Sequence, residues 1–117
     1  MLSHVLEQGV LVIKVYGGTR IDGRATLFAK IGDLIHAYKP TPVVIVLDDS
    51  AVGRMMLSVV VRAHRMCTSL GVLMSVASHS APLRRQLEAS VGTDTKQLVI
   101  HARADVAISA AAFAAAV

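Results

Sequence analysis

Asp48, Asp49 and Ser50 stand together between the aliphatic run Val43–Leu47 and the long stretch Ala51–Leu70. Two carboxylates and a hydroxyl at the head of a helix have two kinds of chemistry open to them. They can accept the unpaired N–H groups of the first turn and complement its positive dipole end. Alternatively, Ser50 can take a phosphoryl group. That adds negative charge at the helix start, which the dipole tolerates and a docked partner does not. Both readings stay open on these residues alone. Ser58, two turns further on, is a second hydroxyl that could accept phosphate.

The other reactive side chains do not assemble into a familiar centre. The five histidines, His4, His36, His64, His79 and His101, form neither H-x-x-x-H nor H-E-x-x-H. Cys67 is the single cysteine, which excludes an internal disulfide and a cysteine-based zinc cluster. Among helical apolar neighbours it reads as a small buried hydrophobe. His79 lies between Ser78 and Ser80 and could in principle activate a serine, but it reads as a loop residue. There is no G-x-G-x-x-G and no Walker A pattern. Gly17-Gly18 follows a strand and precedes a helix without the spacing of a nucleotide cradle. An α/β enzyme gathers its polar groups at the carboxyl ends of its strands. Here those ends carry Gly17–Asp22, Asp48–Ser50 and Ser78–Ser80, with no acid and base pair among them. The expectation is therefore no catalytic residue, no cofactor and no metal.

The elements that would position these residues follow from pattern. At 117 residues the chain fits one domain, 1–117. Val10–Tyr16, Val43–Leu47, Val72–Ala77 and Gln97–His101 read as strands, most of them buried on both faces. Ser3–Glu7 adds a strand that Gln8-Gly9 joins to the next as a hairpin. Asp22–Tyr38 carries Leu27, Phe28, Ile31, Leu34, Ile35 and Tyr38 at helical steps, with Asp22 at the N-cap and Pro40 and Pro42 beyond the end. Ala51–Leu70 is a long helix closed by Gly71, Ser80 caps a short helix to about Val91, and Ala104–Ala116 is an Ala-rich helix. The order β-β-α-β-α-β-α-β-α predicts an α/β fold, a mostly parallel central sheet covered by helices.

Composition narrows the function classes. Apolar residues are 54% and charged residues 17%, which excludes a disordered chain. Aromatics are 3%, too few for the stacking platforms of single-strand nucleic-acid modules. The net charge of +4 is spread along the chain rather than clustered, so nucleic acid is not the expected partner. No apolar stretch reaches the about 18 residues of a membrane span, and the N-terminus lacks the pattern of a secretory signal. The expected compartment is the cytoplasm.

The helix from Ala51 is the informative element. Arg54, Ser58, Arg62, Arg65 and Ser69 form one narrow polar stripe, and nearly everything else is apolar. That apolar sector exceeds the ordinary surface-helix stripe of about 100°. Either the helix is buried on most sides, or its first half meets a partner. Met55 and Met56 favour the partner, because methionine suits adaptable contact surfaces.

The chain resembles a STAS domain, of the type found in anti-sigma-factor antagonists of bacteria. The element order is similar. Gly18-Thr19-Arg20-Ile21-Asp22 is a loose form of the G-E-L-D turn before the first helix. Val43–Asp48 matches the following strand, and Val59-Val60-Val61-Arg62-Ala63-His64-Arg65 matches the long helix. Ser78–Leu87 is similar to the S-P-x-V-x-R-x-L stretch. The departure lies at the D-S-S-G switch. Aligned backwards from Arg62-Ala63-His64, that slot falls on Gly53-Arg54-Met55-Met56, which has no hydroxyl. Aligned forwards from Leu47-Asp48, Asp49-Ser50-Ala51-Val52-Gly53 becomes a stretched version with Ser50 as acceptor. The first alignment keeps the helix without a gap.

The resemblance implies a non-enzymatic regulatory domain that docks an anti-sigma factor or a serine kinase of the switch type. The implied contact residues are Gly18, Asp22, Asp48, Asp49, Ser50, Gly53, Arg54, Met55 and Met56. It leaves two alternatives: a scaffold or transporter-associated STAS subunit that forms a homodimer, and a small nucleotide-binding α/β protein.

Overall fold

The aliphatic runs fall at the centre of one five-stranded sheet in the computed structural model, which describes residues 2–16, 23–48, 54–91 and 98–116. In chain order the elements are β1 (Leu2–Glu7), β2 (Val10–Val15), α1 (Gly23–Tyr38), β3 (Val43–Leu47), α2 (Arg54–Leu70), β4 (Met74–Ser78), α3 (Ala81–Val91), β5 (Val99–His101) and α4 (Ala104–Ala116). This is the expected order. The strands lie side by side in sequence, β1-β2-β3-β4-β5. β1 runs antiparallel to β2, and the remaining pairs are parallel. Gln8 and Gly9 turn the hairpin with φ of 55° and 76°, the left-handed pair that a two-residue loop of this kind requires.

Sequential strand order has a topological result. Each crossover from β2 onward steps in the same direction, and crossovers between parallel strands are right-handed. The three connecting helices must therefore fall on one face. Leu27, Ile31 and Ile35 of α1, Met56, Val59, Val60, Ala63 and Cys67 of α2, and Leu83 and Leu87 of α3 pack there on Leu11, Ile13, Val15, Ile45 and Val76. The helix outside any crossover, α4, takes the other face. Its Ala107 and Ile108 cover Val10, Val12, Val44 and Ala77. Successive residues of β2 thus serve two different cores, which is why its sequence is aliphatic almost throughout.

Several boundaries differ from expectation. α2 ends in a Schellman motif: the Val72 N–H donates to the Cys67 carbonyl at 2.8 Å and the Gly71 N–H to that of Thr68 at 3.2 Å, with Gly71 at φ 71°. Val72 is spent on stopping the helix, so the strand expected from Val72 begins at Met74 and runs on to Ser78. β2 ends at Val15, leaving Tyr16 outside the ladder. β5 is the short piece Val99–His101. The N-cap expected at Asp22, the helical start expected at Ala51 and the strand start expected at Gln97 lie outside the described residues.

Met56 requires a correction. It was expected to offer adaptable surface to a partner, but it is 2% exposed and belongs to the core beneath α2. The physical reason is that α2 lies between α1 and α3 with the sheet beneath, so its wide apolar sector is largely used inside the domain. Leu57 and Val61 are only half-buried. No helix of the described residues is long and apolar enough to cross a membrane.

Candidate partner-binding site

The parallel register puts three strand ends on one rung. Val15 lies opposite Leu47, and Leu47 opposite Ser78. Tyr16, Asp48 and His79 are each one residue beyond that rung, on strands about 4.8 Å apart. All three are exposed, Tyr16 at 38%. The rung is extended by one backbone bond, in which the Asp48 N–H donates to the Val15 carbonyl at 3.0 Å. α1, α2 and α3 all start from this edge, so their positive dipole ends gather here.

The β4–α3 turn is held by its own polar groups. Ser78 is buried, and its Oγ accepts the Ser80 N–H at 3.2 Å. Ser80 Oγ accepts the Leu83 N–H at 3.3 Å, the expected N-cap. Arg84 Nη1 donates to the Ser78 carbonyl at 2.8 Å and ties the helix back to the strand end. Both serine oxygens beside His79 thus serve the turn, and neither is bonded to the imidazole. Among the described residues no group of three His, Cys, Asp or Glu side chains could hold a metal ion.

On the flank of the site the Arg62 guanidinium stacks over the Phe28 ring, 4.3 Å from its centroid, and clamps α1 to α2. Deeper in α2, His64 is buried, and burial lowers its pKa from the ordinary 6.5. Cys67 is fully buried as expected, and burial pushes its thiol up to about 11. A thiol so held is inert as a nucleophile at neutral pH.

Of the residues implicated by the sequence, Asp48 stands at this edge. The backbone of Arg54 and Met55 opens α2 beside it, and Ser58 is half-buried one turn on. Gly18, Asp22, Asp49, Ser50 and Gly53 lie outside the described residues, so both readings of Ser50 carry forward unchanged. Tyr16 is the residue that sequence reasoning assigned elsewhere, as the last position of a strand. The signal that could have found it is an aromatic at the end of an aliphatic run, immediately before two glycines.

No family model matches the chain, and no curated protein matches it. Solved structures do match. The Bacillus cell fate determinant SpoIIAA in the phosphorylated form superposes with a TM-score of 0.64 at 15% identity, covering 94% of this chain and 98% of that one. The anti-sigma factor antagonist SpoIIAA in its unphosphorylated form gives 0.66 at 14% identity, covering 94% of this chain and 96% of that one. With this element order, sheet topology and near-complete coverage, the chain has the STAS fold.

Proposed function

We propose that the chain is a non-enzymatic regulatory domain that acts by binding another protein, in the manner of an anti-sigma-factor antagonist. Its partner is an anti-sigma factor or a switch-type serine kinase. It docks at the edge where Tyr16, Asp48 and His79 lie side by side, together with the 17–22 and 49–53 segments and the first turn of α2. The observation that carries this reading is the STAS fold over nearly the whole chain, with three strand ends and three helix starts presented at one exposed edge. Gly18, Asp22, Asp48, Asp49, Ser50, Gly53, Arg54 and Met55 are the proposed contact residues. Met56 is removed from the set, because its side chain is committed to the core.

The test is a capture experiment from the source cells with wild type and Met55→Glu in parallel. The wild type is expected to retain an anti-sigma factor or kinase, and Met55→Glu to lose it with an unchanged thermal melt. Equal retention by both would overturn the proposed surface. If Ser50 is a switch, Ser50→Asp weakens the complex and Ser50→Ala does not. Equal affinity of the two variants removes Ser50 from the mechanism and leaves constitutive binding.

A further inference from the structure

Alternation along β2 puts Val10, Val12 and Lys14 on the same side of the sheet. Val10 and Val12 are buried there beneath α4, while Lys14 is exposed. The difference lies in what covers them. α4 packs over β2, β3, β4 and β5, and no β1 residue joins the core beneath it. The β1 side of this face is left as a trough of 240 Å³. Val5, Val12 and Val46 form its floor and Ile108 its wall. Its two ends carry opposite charges. Lys14 lies at one end, with Ser3 opposite it across the strand pair, and Glu7 lies at the other. Four residues of β1 separate the ends, about 14 Å. Among the described residues no carboxylate pairs with Lys14. The acid in the first turn of α4, Asp105, is spent on Arg103 at 2.7 Å.

We infer that this trough binds a small monocarboxylate with an unbranched aliphatic tail, its carboxylate on Lys14 and Ser3 and its tail along Val5, Val12 and Ile108. The head follows from charge. An unpaired ammonium and a hydroxyl supply donors to one carboxylate. The tail follows from the floor, which is aliphatic between the charged ends. Val5 is 54% exposed there, so apolar surface remains for a ligand to cover. Selectivity follows from Glu7. A ligand with a second carboxylate at its far end meets a like charge, so an α,ω-dicarboxylate is rejected. Octanoate, with about ten non-hydrogen atoms, is expected to bind at roughly 0.1–1 mM. Each methylene laid on the floor tightens binding about fourfold. Tyr16, Asp48 and His79 do not line the trough, so the inference does not rest on the proposed docking edge.

Titration calorimetry and amide-shift mapping on the full chain test it, with hexanoate, heptanoate, octanoate, octanol and octanedioate as probes. Affinity is expected to rise about fourfold per methylene from hexanoate to octanoate. Octanedioate is expected to bind at least about tenfold more weakly than octanoate. Lys14→Gln, at an exposed position, is expected to weaken octanoate at least about tenfold, with octanol binding and the thermal melt unchanged. The amide shifts are expected on β1, on β2 and at the start of α4. No octanoate binding up to about 10 mM overturns the inference. So does equal affinity for octanoate and octanol, or octanoate affinity that Lys14→Gln leaves unmoved. Shifts confined to the apolar groove lined by Leu73, Val99 and Ala110 overturn it as well. Each of these results leaves the docking proposal standing, because retention of a protein partner is read separately.

Discussion

His64 is the residue at which solvent acidity reaches the fold. Its imidazole is buried in α2, and burial favours the neutral form. The folded chain therefore takes up this proton less readily than the unfolded chain, whose histidine keeps the ordinary value near 6.5. The stability tied to this group is present above that value and is lost as pH falls below it towards the lower folded pKa. Urea midpoints measured from pH 8 down to about pH 5 are expected to fall most steeply below about 6.5, and His64→Gln is expected to flatten that part of the curve. Gly71 is a second residue with an assignable energy. It holds a left-handed φ with nothing within 4 Å of a built Cβ, so the cost of a side chain there is conformational. Gly71→Ala is expected to lower unfolding free energy by about 1 kcal/mol, read from the urea midpoint at unchanged m-value.

At the scale of elements, α1 and α2 form the clamp beside the proposed docking edge. They approach at Gly32, where an added Cβ would sit 3.5 Å from the Met66 Cε, an ordinary contact with a flexible side chain. Gly32→Ala should therefore gain helix propensity without a clash. It is expected to stabilise by about 0.5–1 kcal/mol, a rise of a few degrees in melting temperature. Arg62→Ala removes the stack on Phe28 and is expected to cost about 0.5–1 kcal/mol. The existence and order of these elements were legible in the sequence. β2 and β3 are aliphatic because they are buried on both faces, and α1 repeats its apolar residues at three- and four-residue steps. The β4 boundary was less legible, because the bond from Val72 to Cys67 depends on how a helix end folds back on itself. Met56 was not legible. Neighbouring helical residues point about 100° apart, and only the packing of α1 and α3 decides that Met56 sinks. The common rung of Tyr16, Asp48 and His79 was out of reach for a similar reason. It depends on the register between strands separated by long crossovers, which no local pattern records.

At the scale of the whole molecule the two faces of the sheet are unequally furnished. Among the described residues one has three helices, while the other has α4 alone above Val10, Val12, Val44 and Ala77. Ile108 is the large side chain of α4 that is buried there, and Ile108→Ala is expected to cost about 2–4 kcal/mol in chemical denaturation. Fluorescent-dye binding to exposed apolar surface is expected to rise in that variant before secondary structure is lost, because the thinner layer loosens first. α4 also follows every strand in the chain. During synthesis the three-helix side can assemble one βα unit at a time, each new strand finding a finished edge. The opposite side stays bare until all five strands are in place and α4 emerges. An incomplete chain would thus display a bare aliphatic sheet face to solvent, and the timing of one alanine-rich helix decides how long it remains vulnerable to aggregation.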